Sequence, residues 1–193
     1  NKFIKDHEDN SMILYEYIRW LYQSQDRCDD ANDLFKSAIE KFPKSFMIIC
    51  EYASFLSDYY EDDDEADEYF KKALEMNSEH RTILHRYANF LSNERGDSVL
   101  ANEYYQKAIK MNDTHKTPNM EIITDYGMFC MESLCNYPQA EELFTAVLEV
   151  EPKNSNILTN YAHLLNEHLQ NYEESSKMYK KAIEEDSDNY ELM

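Results

Sequence analysis

The sequence predicts an all-α fold, a right-handed α-solenoid of stacked antiparallel helix pairs. Two observations lead to this prediction. The phrase EYFKKALEMN at residues 68–77 returns as EYYQKAIKMN at residues 103–112, 35 positions later, and apolar residues follow helical spacing twice within each repeated unit. With Gly at 2 and Pro at 4 of 193 positions, the chain contains few of the residues that end helices or form tight turns.

Side chains of one kind recur at the same position in every unit. The step is 35 residues, except for one step of 39, where four extra residues fall around KTPN (116–119). The three clearest tracks are Tyr17, Tyr52, Tyr87, Tyr126 and Tyr161; Ala31, Ala66, Ala101, Ala140 and Ser175; and Phe35, Phe70, Tyr105, Phe144 and Tyr179. One loop is therefore lengthened while the unit itself is kept, and we expect five full repeats.

Each unit contains two predicted helices. In the second unit, Ile49, Tyr52 and Leu56 share one helical face, and Ala66 and Phe70 begin the next face after an acidic break whose carboxylates suit a helix N-terminus. The predicted helices are residues 11–24, 28–42, 45–60, 62–77, 80–94, 97–111, 119–134, 137–150, 155–169 and 172–186. We expect one domain, 1–193, with full repeats at about 11–44, 45–79, 80–115, 119–153 and 154–187, and partial repeats at 1–10 and 188–193. Such ends suggest a window of a longer array, or one that has lost its capping elements.

The pattern resembles the tetratricopeptide repeat. The fourth unit shows it most fully, in Ile123, Tyr126, Gly127, Ala140, Phe144, Val147 and Pro152. The unit is one residue longer than the usual 34, with the extra residue between the two helices, and the family's Pro occurs only as Pro43 and Pro152. The first unit is equally similar to the half-tetratricopeptide repeats of RNA-processing scaffolds.

Composition excludes several function classes. The formal net charge of -20 opposes direct nucleic-acid binding and favours partners that carry Lys or Arg. No apolar run is long enough to insert into a membrane, and no leader is visible, so we expect a cytoplasmic or nuclear protein with reduced cysteines. His80 and His85, like His163 and His168, are five apart, which on an α-helix separates their side chains and opposes zinc binding. We expect no metal, no cofactor and no enzymatic activity.

The resemblance implies that the inner positions of each first helix line a concave groove that binds a protein segment. By their place in each helix, the groove residues are Met12, Tyr15, Arg19, Tyr22, Met47, Ser54, Thr82, His85, Asn89, Glu121, Thr124, Met128, Met131, Asn156, Thr159 and His163. Family members that clamp the C-terminal carboxylates of chaperones use Lys, Asn and Arg at such positions. Here Lys is missing and Glu121 has the wrong sign, so we expect no such clamp.

The leading hypothesis is a non-catalytic binding module or scaffold whose partner lies in the groove as an extended peptide or a helix. Two alternatives are a half-tetratricopeptide-like scaffold of an RNA-processing complex, and a docking or regulatory domain of a larger enzyme. Self-association through uncapped ends is a further expectation, because a repeat without a neighbour exposes its apolar face.

Overall fold

In the computed structural model, residues 11–113 and 117–190 are described, and this part of the chain forms ten α-helices and no β-strand. The helices are α1 (Ser11–Gln25), α2 (Cys28–Lys41), α3 (Phe46–Tyr60), α4 (Asp63–Met76), α5 (Arg81–Asn93), α6 (Ser98–Asp113), α7 (Met120–Glu132), α8 (Tyr137–Val150), α9 (Ser155–His163) and α10 (Tyr172–Tyr190). The predicted all-α class is confirmed, and eight of the ten helices agree with their predicted ends to within about two residues.

The prediction of one regular α-helix over residues 155–169 is wrong. The helix α9 ends at His163, and Leu164–His168 form a π-helical turn, in which the Leu169 N–H donates to the Leu164 carbonyl at 3.1 Å. The same five-residue bond closes α5, from Arg95 to Phe90 at 3.3 Å, and α7, from Leu134 to Phe129 at 3.2 Å. Two other first helices, α5 and α7, therefore end in a single hydrogen bond of the π-helical type, and α9 continues this winding over a full turn.

The last helix is also longer than predicted. It continues to Tyr190, whereas the predicted helix ends at residue 186. No Gly or Pro follows Ala182, so no side chain there ends the helix by itself. The partial repeat expected at residues 1–10 lies outside the described residues, as do the last three residues of the one expected at 188–193.

The chain packs as two compact units, the first ending at Ala108 and the second beginning at Ile109. In the first unit α2, α4 and the start of α6 are second helices, and the first helices α1, α3 and α5 follow one another in contact. In the second unit α7 packs on α8, and α9 packs on both α8 and α10.

Most second helices begin with a polar side chain that accepts a hydrogen bond from the helix backbone. Asp62 accepts from the Glu65 N–H at 3.2 Å, Asp97 from Leu100 at 3.0 Å, and Asn171 from Glu174 at 3.3 Å. These bonds satisfy N–H groups that the first turn of a helix leaves unpaired. The acidic breaks seen in the sequence therefore act as helix caps.

The turn inside every helix pair has one left-handed residue. These residues are Asp26, Glu61, Gly96, Cys135 and Gln170, with φ between 50° and 63°, and they recur with the steps of the sequence repeat. Beside each one, a backbone N–H reaches six residues back, as from Asp62 to Leu56 at 3.2 Å, which is one residue further than in a Schellman closure. The extra residue of the 35-residue unit is predicted from the sequence to lie in this same loop.

Three of the five recurring tyrosines join consecutive helix pairs in the same way. The ring is buried, and the hydroxyl donates to a side chain twenty positions earlier, on the preceding second helix: Tyr52 to Asn32 at 2.9 Å, Tyr87 to Asp67 at 2.7 Å and Tyr161 to Glu141 at 3.0 Å. Tyr126 differs, since its hydroxyl accepts from the Gln139 amide at 3.1 Å. The recurring small residue precedes each acceptor and is itself buried. The two tracks therefore work together, because a small residue lets the helices approach and the next one binds the tyrosine.

Gly127 shows how close that approach is. A Cβ atom there would lie 2.8 Å from Cε1 of Phe144, and Phe144 is fully buried. Interiors packed this tightly leave little room for the ring to move. The glycine of the fourth unit is therefore needed for the contact between α7 and α8.

The left-handed turns generate a first prediction. Replacing Glu61 by Gly should raise the free energy of unfolding by about 0.5–1 kcal/mol, because a left-handed conformation costs an L-residue about 1–2 kcal/mol, while Gly gives back part of this by loosening the unfolded chain. Urea denaturation followed by circular dichroism measures the change.

Gly96→Ala is the matched reverse substitution, since a Cβ at Gly96 meets nothing within 4 Å. It should lower stability by a similar amount through backbone strain alone. Equal stability of both variants and the parent would show that these turns are not strained.

Candidate functional site

The first helices of the first unit present one continuous surface, which we call the first-helix face and define by the inner residues of α1, α3 and α5. Tyr15, Arg19 and Tyr22 come from α1, Glu51 and Ser54 from α3, and Asn89 from α5. They are one helical turn or so apart on their own helices, so they share a face. The contacts of α3 with α1 and with α5 bring these rows together.

A buried carboxylate lies at the centre of this face. Glu51 is 2% exposed; its Oε2 accepts the Tyr15 hydroxyl at 3.0 Å, and its Oε1 accepts the Tyr22 hydroxyl at 2.5 Å. Arg86 of α5 donates to Oε2, and the Arg19 Nε lies 3.3 Å from Oε1. We call Glu51, Tyr15, Tyr22, Arg19 and Arg86 the Glu51 cluster, and it joins three helices.

The charges of the Glu51 cluster stabilise one another. Burial by itself would lower the pKa of Arg86, but its neighbours together, Glu51 first among them, outweigh this and raise it. Burial and then Glu51 raise the pKa of Tyr22, and the same causes raise that of Tyr15. At neutral pH both tyrosines are therefore hydrogen-bond donors, and Arg86 is a cation.

Glu51 and Arg86 are not among the groove residues predicted from the sequence. Glu51 is the one charged residue in the otherwise apolar run FMIICEYASFL (46–56), and a lone carboxylate among buried positions is a signal that it must be paired. Its partners come from positions 29 to 36 residues away, which no local spacing indicates.

A pocket of about 200 Å³ opens beside the cluster, between α3 and α5. Its lining consists of Ser54, Ser57, Asp58, Phe70, Arg86, Asn89, Phe90, Asn93 and Glu94. The two phenylalanines are buried, while Asp58, Asn93 and Glu94 are exposed. The pocket thus has an aromatic inner end and a polar, acidic mouth.

The predicted groove residues differ widely in exposure. Tyr15, Tyr22, His85 and Met131 are buried, so their side chains are covered within their own units. Ser54 and Asn89 line the pocket, and Asn89 also accepts the Tyr105 hydroxyl at 2.5 Å. The remainder are exposed or half-buried: Met12, Arg19, Met47, Thr82, Glu121, Thr124, Met128, Asn156, Thr159 and His163.

The π-helical turn changes the expected arrangement of two histidines. The rings of His163 and His168 have centroids 6.2 Å apart, and His168 stacks on Tyr137 at 4.2 Å. The interpretation that five-residue spacing separates them is therefore wrong, because a π-helix has more residues per turn than an α-helix. Even so, no group of three His, Cys, Asp or Glu side chains suited to a metal ion occurs in the described part of the chain.

The tetratricopeptide repeat family model matches residues 61–80 and 155–189. These segments resemble tetratricopeptide repeats. They are α4 with its following turn, and the helix pair formed by α9 and most of α10. A fold of this kind supports a protein–protein interaction scaffold. Among curated proteins, no sequence matches the chain.

Solved structures of low identity share the tetratricopeptide solenoid. PilF of Pseudomonas aeruginosa has a TM-score of 0.76 at 20% identity, over 91% of this chain and 78% of that one. YrrB, described as a TPR protein with an unusual peptide-binding site, has 0.63 at 21%, over 97% and 92%. Yeast Tom70 has 0.77 at 16%, over 94% of this chain and 37% of that one. These similarities confirm the predicted solenoid fold.

No helix in the described part of the chain is both long enough and apolar enough to cross a bilayer. Two arginines lie near this face: Arg19, which is at a predicted groove position, and Arg86, which is not. Both pair with Glu51, and Arg19 also lies 3.9 Å from Glu16, so two carboxylates face the two arginines.

The Glu51 cluster generates a second prediction. Glu51→Gln should lower the free energy of unfolding by about 2–3 kcal/mol, because it leaves Arg86 and Arg19 without their counter-charge. This loss is smaller than the about 3–5 kcal/mol that follows when one partner of a fully buried ion pair is removed, since the side chains of Arg86 and Arg19 are 24% and 34% exposed.

Glu16→Gln is the matched control, since Glu16 is 63% exposed and meets Arg19 only at 3.9 Å. It should change stability by less than about 0.5 kcal/mol. Urea denaturation measures the free energy of unfolding of both variants, and equal losses would contradict a structural role for the Glu51 cluster.

A third prediction concerns alkaline pH. Burial raises the pKa of Cys50 from its usual 9.0 to about 12 and of Cys130 to about 11. Burial and the bond to Glu141 raise that of Tyr161 from 10.0 to about 12. An acid whose pKa rises on folding is deprotonated first in the unfolded chain, so stability should begin to fall near pH 9 and fall more steeply above pH 10.

Tyr161→Phe should reduce that slope by up to about 1.4 kcal/mol per pH unit between pH 10 and 12. Tyr172→Phe is the control, since Tyr172 is 63% exposed and should leave the slope unchanged. Urea denaturation at pH steps from 8 to 11.5 measures both, and stability that is constant across this range would contradict the prediction.

Proposed function

We propose that the chain is a non-catalytic interaction module whose first-helix faces bind an extended or helical segment of a partner protein. The observation that carries this proposal is the pocket between α3 and α5, which opens on the first-helix face. Protein segments are usually held by a few anchor side chains that enter such pockets.

The partner segment is basic. The chain has 39 Asp and Glu against 19 Lys and Arg, and the pocket mouth adds Asp58 and Glu94 to this negative field. Charge of one sign over a surface attracts ligands of the other sign and raises their association rate. The two arginines near the face do not reverse it, because Glu51 pairs with both and Glu16 also lies 3.9 Å from Arg19.

In the second unit the proposed contacts lie on α7 and α9. Thr124 and Met128 of α7 are half-buried, and Asn156, Thr159 and His163 of α9 are exposed. These side chains offer one apolar anchor and several hydrogen-bonding groups, which suits a peptide backbone with a few bulky side chains. The peptide-binding site named for YrrB is consistent with a binding role for this fold.

Selection of a phage-displayed random 12-residue peptide library on the immobilised chain tests the proposal. We expect enriched peptides with an excess of Lys and Arg, and an association rate that falls as salt is added. The rate is measured by surface plasmon resonance between 50 and 500 mM NaCl. If no peptide is enriched, or if the enriched peptides are acidic, the proposal is wrong.

Matched variants locate the binding face on the first unit. Ser54→Lys with Thr82→Lys changes the first-helix face, and Ser37→Lys with Gln106→Lys makes the same change of charge at exposed positions of α2 and α6. The first pair should weaken an enriched peptide about tenfold or more, equal to about 1.4 kcal/mol, and the second much less.

The corresponding pair in the second unit is Asn156→Lys on α9 and Ser176→Lys on α10, both at exposed positions. A peptide that binds the second unit should respond to the first of these and not to the second. Loss of binding in the second-helix variants alone would place the site on the opposite surface.

A further inference from the structure

We propose that the pocket between α3 and α5 receives the guanidinium group of an arginine from the partner segment. The inference deepens the proposed function, on which it rests, by assigning one anchor residue to one cavity. Three observations support it: the shape of the pocket, the charges at its mouth, and the ion pair that Arg86 already forms with Glu51.

The inner end of the pocket suits an apolar stem and a flat cation. Phe70 and Phe90 line it and are 1% and 5% exposed, so only small areas of their rings face the cavity. The chain already places one guanidinium against one of these rings, since Arg95 lies 5.8 Å from the centroid of Phe90. Guanidinium groups stack on aromatic rings and are more weakly hydrated than ammonium groups.

The mouth of the pocket carries negative charge without a cation to balance it. Within residues 11–113 and 117–190, no basic side chain lies within ion-pairing distance of Asp58 or Glu94. Arg86 does line the pocket, but it donates to the buried Glu51. Its charge is therefore partly offset by Glu51, and the two carboxylates of Asp58 and Glu94 outnumber it at the mouth.

The polar lining favours arginine over lysine. Besides the two carboxylates, the cavity is lined by Ser54, Ser57 and Asn93, whose side chains carry oxygen atoms that can accept hydrogen bonds. A guanidinium has several N–H donors spread over a plane and can bond to separate acceptors at once, whereas an ammonium is a compact, strongly hydrated point charge. Acceptors placed around a cavity that ends in aromatic rings therefore match the larger, flatter cation.

The charged form of Asp58 is unfavourable in the unbound chain. Although its side chain is exposed, loss of hydration beside the pocket, and then the nearby Glu94, raise the pKa of its carboxyl, and Arg86 offsets this only in part. A carboxyl whose pKa is raised on folding stabilises the fold below its unfolded pKa, and this contribution is lost as pH rises through the folded value. At neutral pH the charged Asp58 thus destabilises the chain, as is common for residues placed for binding.

Two small probes test the pocket without any peptide. Ethylguanidinium and ethylammonium are titrated into the ¹⁵N-labelled chain, and the amide shifts of Ser54, Asn89 and Asn93 are followed by NMR. We expect saturable shifts at these amides, with the guanidinium about threefold or more tighter than the ammonium. Equal affinities, or guanidinium-induced shifts spread over the acidic surface, would contradict the proposal.

Charge-removing variants give the second readout. Asp58→Asn and Glu94→Gln should each weaken ethylguanidinium about threefold or more, and Asp58→Asn should raise the midpoint of thermal unfolding at pH 7. Asp33→Asn and Glu103→Gln, at exposed positions of α2 and α6, remove the same charges elsewhere and should leave binding unchanged. Equal weakening by both pairs would show general attraction to an acidic surface rather than a site.

Sodium acetate is the opposite probe. Acetate shifts at the same three amides would mean that Arg86 recruits an anion, which would overturn the assignment. If ethylguanidinium binds as expected but the library yields no peptide, the pocket is supported and the interaction module is not. If basic peptides bind and Asp58→Asn leaves their affinity unchanged, the module is supported and this anchor is wrong.

Discussion

The carboxylate of Glu51 is the interaction on which the first-helix face depends. It is buried on α3, and its partners come from α1 on one side and α5 on the other. A buried charge is unfavourable unless each of its partners is present. The three helices must therefore pack in one register, and that register also positions the pocket next to Arg86.

The same cluster explains the sign of the face. Two arginines would ordinarily make such a surface attractive to carboxylates. Because Glu51 pairs with both and Glu16 also lies near Arg19, two carboxylates offset the two arginines. The outer residues Asp58 and Glu94 therefore determine what the pocket attracts. A single buried residue thus changes the kind of ligand without itself reaching the surface.

The regular part of the structure depends on backbone geometry rather than on charge. Each helix pair turns through one left-handed residue, and four of these five are not Gly. The next recurring elements are the small residue of the second helix and the tyrosine that bonds beside it. Where both occur, as for Tyr52, Tyr87 and Tyr161, the tyrosine joins its helix pair to the preceding second helix in the same way.

Periodicity alone determined the helices, the small-residue and aromatic tracks, and the caps, because these depend on residues that are close in sequence or recur at one step. The Glu51 cluster, the pocket and the burial of Tyr15, Tyr22, His85 and Met131 were decided only by tertiary structure. They depend on which side chains meet across three helices, and pairings 29 to 36 residues apart leave no local pattern. The π-helical turn also required the structure, since no Gly or Pro marks Leu164–His168 and a change from α to π winding alters which side chains share a face.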